Sequence, residues 1–216
     1  MHFQAAIFDM DGLLLDTERV CMRVFKAACE QLELPFDDVV YRSMIGCNAV
    51  DIQRIFTEFY GDDYQRIHDT WRPAYNAVVL HEAIPVKTGV LALLDWLKAQ
   101  GVPMAVATST SRDVAEVKLE LAGLTPYFDS ISTGDEVKHG KPHPEIYLLA
   151  AERLGVDPTQ CIAFEDSNNG TRAAMAAGMQ TFQIPDLVEP SDEVRALGHI
   201  VLPSMEQVLE QLKQAA

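Results

Sequence analysis

The sequence predicts an α/β protein with a doubly wound parallel sheet and a helical segment inserted after the first strand. Three observations lead to this prediction. From about residue 85 onwards, short apolar runs typical of buried strands alternate with helical patterns. Residues 17–82 show helical patterns and no convincing strand. Polar residues directly follow several of the predicted strands, and ligands of α/β sheets bind at that position.

The first strand is an apolar run, Ala5–Phe8, that leads into an unusual pair of acidic residues. Residues two apart on a strand share a face, so Asp9 and Asp11 would project together from its carboxyl end. Like charges this close repel each other, and a divalent cation is the simplest compensator. A calcium-binding EF-hand loop starting at Asp9 is excluded, because its sixth residue would be leucine instead of glycine and its twelfth valine instead of glutamate.

After this pair the pattern changes from strand to helix. Apolar residues recur at helical spacing from Val20 to Leu32, and a proline three residues later predicts the end of that helix. Further helical patterns cover residues 38–44, 48–60 and 64–80. We therefore predict a helical cap domain over residues 17–82, inserted into an α/β core domain that comprises residues 1–16 and 83–216.

From residue 85 the chain alternates between helices and strands. Strands are predicted at residues 103–107, 130–133, 161–164, 179–184 and 199–202. The helices between them end at glycines, which are common C-terminal stops: Gly101, Gly123, Gly155 and Gly178. Repeated strand–helix units predict a parallel sheet with helices on both faces, whose ligand lies beyond the carboxyl ends of the strands.

The predicted strand ends bring together groups suited to phosphoryl transfer. They are Asp9 and Asp11 after the first strand, Thr108 and Ser109 after the second, Glu165 and Asp166 after a later one, and Lys141 in a loop on the same side. Carboxylates can hold Mg²⁺, and one of them can act as a nucleophile and form an aspartyl-phosphate. A second carboxylic acid can protonate the leaving group and then activate water. Hydroxyl, amide and lysine groups can hold the transferred phosphoryl group.

Composition and charge limit the partners. The formal net charge of −15 argues against nucleic acid, which binds through phosphate neutralisation by lysine and arginine, and against an anionic membrane surface. No apolar run is long enough to span a bilayer. Without a signal peptide or a C-x-x-C pair, the cysteines are expected to be reduced thiols of a cytoplasmic protein: Cys21, Cys29, Cys47 and Cys161. We expect a small phosphorylated metabolite as partner, and a monomer or weak homodimer.

Four ordered motifs resemble those of the haloacid dehalogenase (HAD) superfamily. They are Asp9-Met10-Asp11-Gly12 and the residues up to Asp16, Thr108 after an apolar strand, Gly140-Lys141-Pro142, and Glu165-Asp166 with the residues up to Gly170. The resemblance covers essentially the whole chain. Within the superfamily it looks like the β-phosphoglucomutase/phosphoglycolate phosphatase-like branch. It implies a Rossmann-like HAD core with a helical cap domain inserted after the first strand.

The resemblance also implies a role for each motif residue. Asp9 would be the nucleophile and Asp11 the general acid/base. The ligands of Mg²⁺ would be Asp9, Asp11 through its backbone carbonyl, Asp166, and Glu165 either directly or through water. The phosphoryl group would be bound by Thr108, Ser109 and Lys141. Thr17, at the junction with the cap, would be a hinge residue or a helix N-cap.

Two departures from the sugar-phosphate mutases of this branch favour a phosphatase. Those mutases carry a histidine four residues after the position of Thr17, where this chain has Cys21. They also hold a second phosphate with an arginine three residues after the position of Gly46, where this chain has Ala49. We predict an Mg²⁺-dependent phosphatase of a sugar phosphate or a phosphoglycolate-like metabolite, acting through an aspartyl-phosphate. A sugar-phosphate mutase and a catalytically idle HAD-like binding protein remain the alternatives.

Other residues of the inserted segment are less informative. Arg23, Arg42 and Arg54 could contact a substrate, although such residues more commonly lie on a solvated helix face. We expect Trp71 and Trp96 to be packing residues.

Overall fold

The computed structural model describes residues 3–45 and 49–215 and contains the predicted parallel sheet. Its strands are β1 Ala5–Phe8, β2 Met104–Ala107, β3 Ser130–Ser132, β4 Cys161–Glu165, β5 Gln180–Gln183 and β6 Ile200–Val201. They lie in the order β3-β2-β1-β4-β5-β6, and each pairing is parallel. The α/β, doubly wound fold class is therefore confirmed.

Helices cover both faces of this sheet. They are α5 Val90–Ala99, α6 Arg112–Leu121, α7 Glu145–Leu154, α8 Asn168–Ala176, α9 Asp192–Arg195 and α10 Met205–Ala215. Successive residues of a strand point to opposite faces, so Ala6 and Phe8 pack in the apolar cluster that contains residues of α5, α6 and α10. Ala5 and Ile7 pack in the cluster on the other face, with residues of α7 and α8. A strand buried on both faces has no polar side, which explains the continuous apolar run.

The inserted segment is helical where the structure describes it. Its helices are α1 Thr17–Gln31, α2 Asp38–Met44, α3 Ala49–Tyr60 and α4 Tyr64–His81. They pack around Phe25, whose ring centroid lies 5.2 Å from that of Phe56, 5.4 Å from Tyr41 and 5.7 Å from Trp71. This cluster shares no buried residue with the two that flank the sheet, although Tyr75 and Val78 of α4 pack against both it and the cluster that contains Phe8. We therefore propose residues 17–82 as a cap domain on a core of residues 1–16 and 83–216.

Several smaller expectations have an outcome. Asp16 occupies the N-cap position of α1 and Thr17 is its first helical residue, so the N-cap alternative for Thr17 is wrong. Its role as a hinge residue stays a prediction.

The thiols of Cys21, Cys29 and Cys161 are free, as expected. Gly46 and Cys47 lie outside the described residues. Given their lengths and hydropathy, the helices in the described part of the chain could not span a bilayer.

The two connections between the sheet and the inserted helices run side by side. The backbone N–H of Asp16 donates to the carbonyl of Pro85, and that of Lys87 donates to the carbonyl of Leu14, each at 2.9 Å. Lys87 also forms an ion pair with Asp186, which lies after β5 and has a side chain only 2% exposed. Arg19 of α1 reaches the same carboxylate at 2.8 Å. One buried carboxylate thus ties the first turn of α1 to the α/β core.

We predict that Asp186→Ala lowers the free energy of unfolding by about 2 kcal/mol, because it removes two charged hydrogen bonds from a buried position. Urea denaturation measures this change. Glu189→Ala is the matched control, since Glu189 also forms an ion pair but its side chain is 80% exposed. That variant should lose less than about 0.5 kcal/mol. Equal losses would contradict a stabilising role for the buried pairs.

Candidate active site

The carboxyl ends of three neighbouring strands meet in the middle of the sheet. Strand β1 pairs with β2 on one side and with β4 on the other. Asp9 directly follows β1, Thr108 follows β2 and Asp166 follows β4. The chain order reverses at β1, and such a switch point opens the crevice in which α/β sheets bind ligands. The structure therefore brings the predicted residues of three separate motifs to one place.

Three carboxylates form a buried acidic cluster in this crevice. Asp9, Glu165 and Asp166 offer oxygens that all lie within 4.8 Å of one another. Burial raises the pKa of Asp9 to about 8, against the opposing effect of Lys141. Burial, with the charges of Glu165 and Asp9, also raises the pKa of Asp166 well above its usual value. Carboxylates that resist ionisation together fit a hard divalent cation, which would balance their charge.

The backbone around the cluster leaves no room beside Asp166. Gly12 has a φ of +85°, and a β-carbon at this position would lie 2.3 Å from Oδ2 of Asp166. The turn after β1 therefore packs directly against that carboxylate, and only glycine fits both the space and the positive φ. This contact fixes the distance between the first and the last of the four motifs.

Lys141 and Glu165 form the centre of a hydrogen-bond network. The Lys141 ammonium donates to Oε1 of Glu165 at 2.6 Å and also to Asp9. Tyr147 of α7 donates its hydroxyl to the same Oε1 at 2.8 Å. Oε2 accepts the backbone N–H groups of Asp166 and Ser167, both at 3.1 Å, and the Ser167 hydroxyl at 3.0 Å. Both oxygens of Glu165 thus accept hydrogen bonds from the protein.

Asp11 faces away from this network. Its Oδ1 lies 2.8 Å from the ammonium of Lys118, and its Oδ2 accepts the hydroxyl of Thr110 at 2.7 Å and that of Thr108 at 3.4 Å. Burial alone would raise the pKa of Asp11, but Lys118 and Thr110 hold it below its usual value. The surroundings of Asp9 therefore raise its pKa, whereas those of Asp11, two residues later, lower it.

Sequence reasoning missed Lys118, Tyr147 and Thr110. A signal for Lys118 exists: it lies between Ala115 and Leu119 on the buried face of α6, where a lysine needs a partner. Tyr147 lies likewise on the buried face of α7. In both helices the sequence shows a polar group on an apolar face, which predicts an internal contact without naming its partner.

Two adjoining cavities separate the inserted helices from the sheet. The first, of about 490 Å³, is lined by Asp9, Lys141 and Asp166 and the surrounding loops. The second, of about 510 Å³, extends from Asp11 along α1, α4 and α6 and is also lined by Lys118. Residues that line both cavities are Asp11, Glu18, Ile45, Ile52, Trp71, Arg72 and Ser109. The cavities are therefore parts of one crevice.

The side of the crevice that faces the sheet is formed by all four inserted helices, with most residues from α4. Helix α4 contributes Tyr64, His68, Trp71, Arg72, Tyr75 and Asn76, of which the sequence analysis names only Trp71. Glu18 of α1 lies between the cavities, and burial together with the charge of Asp11 raises its pKa to about 7. These side chains are therefore placed to contact whatever the crevice binds.

The remaining expectations for the inserted segment have mixed outcomes. Arg23 and Arg54 are exposed, as expected for a solvated face. Arg42 pairs with Asp38 at 2.6 Å and donates to the carbonyl of Leu187 at 3.0 Å. Trp71 packs against Phe25, which confirms its packing role, yet it also lines both cavities. Trp96 packs against the cluster that flanks the sheet.

Comparison with known proteins connects this site to a family. Residues 6–184 match the family model described as haloacid dehalogenase-like hydrolase. A phosphorylated carbohydrates phosphatase of Thermotoga maritima is 33% identical over 98% of this chain and 99% of its own length. The fructose-1-phosphate phosphatase YqaB of Escherichia coli is 34% identical over 85% of this chain and 97% of its own length.

Solved structures give the same result. A HAD family hydrolase from Deinococcus radiodurans, crystallised with bound phosphate and sodium, superposes with a TM-score of 0.83 at 26% identity and covers 99% of this chain and 96% of its own. CbbY from Rhodobacter sphaeroides, in complex with phosphate, has a TM-score of 0.73 at 28% identity and covers 94% and 95% of the two chains.

We predict that Gly170→Ala destabilises the protein, although alanine normally favours a helix interior by about 1 kcal/mol. Gly170 lies in α8, and a β-carbon there would come within 1.7 Å of Oε1 of Glu165. Because that carboxylate is fixed by Lys141 and Tyr147, it cannot move aside, and we expect a loss of at least about 2 kcal/mol in the free energy of unfolding.

Gly140→Ala is the matched control for this measurement by chemical denaturation. A β-carbon at Gly140 would meet no atom of the described residues within 4 Å. That variant should change the free energy of unfolding by less than about 0.5 kcal/mol. A Gly170→Ala variant as stable as the wild type would contradict the close packing of Glu165 against α8.

Proposed function

The chain belongs to the haloacid dehalogenase-like hydrolase family, and we propose that it is an Mg²⁺-dependent phosphatase of a small phosphorylated metabolite. The proposal rests on one observation: Asp9 belongs to a buried acidic cluster and is contacted by Lys141, while Asp11, two residues later, is contacted by Lys118. The relatives from T. maritima and E. coli are named for phosphorylated carbohydrates and fructose 1-phosphate. Sugar phosphates are therefore the first substrates to test.

Asp9, Asp166 and the backbone carbonyl of Asp11 would hold the Mg²⁺ ion. The raised pKa values of Asp9 and Asp166 support this assignment, since a bound cation stabilises their ionised forms. When bound, Mg²⁺ supplies positive charge that stabilises the transferred phosphoryl group. Glu165 positions Lys141 and, because both of its oxygens already accept hydrogen bonds, would contribute to the metal site through water.

In the first half-reaction a carboxylate oxygen of Asp9 attacks the phosphorus atom. The new bond between Asp9 and phosphorus forms as the bond from phosphorus to the leaving oxygen breaks, which gives an aspartyl-phosphate. The protonated form of Asp11 donates its proton to the leaving oxygen, so the product departs as an alcohol. The neighbouring Lys118 ammonium lowers the pKa of Asp11 and so favours release of this proton. Thr108, Ser109 and Lys141 hold the non-bridging oxygens of the phosphoryl group.

In the second half-reaction a water molecule attacks the same phosphorus atom. Asp11, now ionised, accepts a proton from this water, and the bond between phosphorus and Asp9 breaks. Inorganic phosphate leaves, and both aspartates return to their starting states. The inserted helices cover the crevice and keep other water molecules away from the aspartyl-phosphate.

The leaving group would occupy the 510 Å³ cavity beside Asp11. The polar groups of Glu18, Asn76 and Ser111 line this cavity, and Trp71 supplies an aromatic wall. Hydroxyl groups of a sugar or polyol can pair with the polar groups, while its C–H faces can pack on the indole. These features support a polyhydroxylated leaving group over a purely apolar one.

Cys21 supports a phosphatase over the alternative of a mutase. It lines the 510 Å³ cavity at the position where the mutases carry a histidine. Burial raises the pKa of the Cys21 thiol to about 11, so this side chain cannot exchange protons near neutral pH as a histidine does. The argument from Ala49 stays a prediction.

We predict that Asp9→Asn lowers kcat for Mg²⁺-dependent phosphate release by at least about 10³-fold, because the amide cannot act as the nucleophile. Phosphate release from sugar phosphates, phosphoglycolate and nucleoside monophosphates is the measurement. EDTA should abolish the wild-type activity and Mg²⁺ should restore it. Asp62→Asn, at an exposed site on the cap, is the control and should keep full activity. An Asp9→Asn variant with wild-type turnover would refute the proposal.

A second prediction separates hydrolysis from isomerisation. With glucose 1-phosphate and a trace of glucose 1,6-bisphosphate, we expect inorganic phosphate and no accumulation of glucose 6-phosphate in ³¹P NMR spectra. Isomerisation moves the phosphoryl group between two sugar hydroxyls, and the Cys21 thiol, which stays protonated near neutral pH, cannot carry the protons for that transfer. Faster formation of glucose 6-phosphate than of inorganic phosphate would favour the mutase. Binding of these compounds with no turnover by any of them would favour an idle binding protein.

A further inference from the structure

Lys118 is a buried cation that forms no bond in the proposed reaction. Its side chain is only 2% exposed, although lysine is among the residues least often buried. An ammonium group away from water is costly unless it is paired and hydrogen-bonded. The partner of Lys118 is the Asp11 carboxylate, at 2.8 Å.

Each of the two aspartates has its own lysine. Lys141 contacts Asp9 from the side of the acidic cluster, whereas Lys118 contacts Asp11 from the side of the 510 Å³ cavity. The two ammonium groups come from different elements, a loop before α7 and the helix α6. Lys118 therefore contacts the proposed acid/base, whereas Lys141 contacts the proposed nucleophile.

The two oxygens of Asp11 are held by different donors. Lys118 binds Oδ1, and the hydroxyl of Thr110 binds Oδ2 at 2.7 Å. Contacts at both oxygens fix the rotation of the carboxylate as well as its position. The Lys118 ammonium also lies 3.5 Å from the hydroxyl of Tyr75 on α4, and its charge acts on the Glu18 carboxylate. The fixed Asp11 carboxylate thus lies at the boundary between the two cavities, where the leaving oxygen would be.

We propose that Lys118 is a positioning residue of the reaction, which holds the Asp11 carboxylate at the leaving-group side of the crevice. This inference rests on the proposed function. Lys118 forms no bond to the substrate phosphorus and takes part in no covalent step. Its effect is to keep Asp11 where it can pass a proton to the leaving oxygen and away from the acidic cluster around Asp9.

Leaving-group dependence distinguishes this role from a merely structural one. Protonation of the leaving oxygen matters for a sugar phosphate and hardly at all for p-nitrophenyl phosphate, whose leaving group is stable as an anion. We expect Lys118→Met to lower kcat/KM at least about tenfold for the sugar phosphate and less than about threefold for p-nitrophenyl phosphate. Here kcat/KM reports the steps up to formation of the aspartyl-phosphate. Lys118→Arg keeps the charge and should recover part of the loss.

A series of aryl phosphates provides the decisive measurement. The slope of log kcat/KM against the pKa of the leaving phenol should be steeper for Lys118→Met than for the wild type. Asp11→Asn should show a similarly steep slope, and adding Lys118→Met to Asp11→Asn should change it no further, because both variants remove one function. Additive losses in the double variant would overturn the proposal.

Two controls keep the outcome interpretable. Lys213→Met removes an exposed lysine of α10 and should leave both rates unchanged. Thermal unfolding identifies any variant that fails to fold, in which case Lys118→Arg and Lys118→Gln supply the slopes. If Lys118→Met lowered kcat/KM equally for all aryl phosphates and left the slope unchanged, the positioning role of Lys118 would be overturned but the proposed function would not. No phosphate release by the wild-type protein would overturn the proposed function as well.

Discussion

The concentration of negative charge at one edge of a parallel sheet is the constraint on which this site depends. Strands β1 and β4 are neighbours, so the residues that follow them are forced together, and the oxygens of Asp9, Glu165 and Asp166 lie within 4.8 Å of one another. Away from water such an arrangement is unfavourable unless cations balance it. Lys141 supplies one positive charge between Asp9 and Glu165, and a divalent cation would balance the remainder.

Glu165 links this charge balance to the packing of the fold. Its carboxylate receives Lys141 from a loop, Tyr147 from α7, and the backbone and hydroxyl of Ser167 from the start of α8. Gly170 lets α8 approach the same oxygens. A loop, α7 and the start of α8 are therefore held against one buried side chain. The position of the Lys141 ammonium beside Asp9 follows from core packing as much as from the motif that contains it.

The sequence predicts the sheet and its polar edge because both depend on short-range patterns. The apolar run Ala5–Phe8 and the acidic pair after it are visible without any tertiary information. Lys118 and Arg72 were missed because they reach the crevice from helices, and spacing alone does not say which neighbour a helix face meets. Helix α9 has only four residues, about one turn, so its hydrophobic periodicity cannot be recognised in the sequence. Sequence reasoning therefore locates the chemistry better than the surface that selects a substrate.

The separation of the two aspartates follows from their partners. When two carboxylates share a site, their charges repel and the pKa of one of them rises strongly. Here Asp9 is paired with Lys141, and Asp11 with Lys118 and Thr110, so each carboxylate has its own partner for its charge. The inserted helices contribute Glu18 and other side chains mainly on the Asp11 side of the crevice. Residues of α1 and α4 would therefore contact the part of the substrate that differs between phosphate esters, while the cluster around Asp9 would bind the phosphoryl group that all of them share.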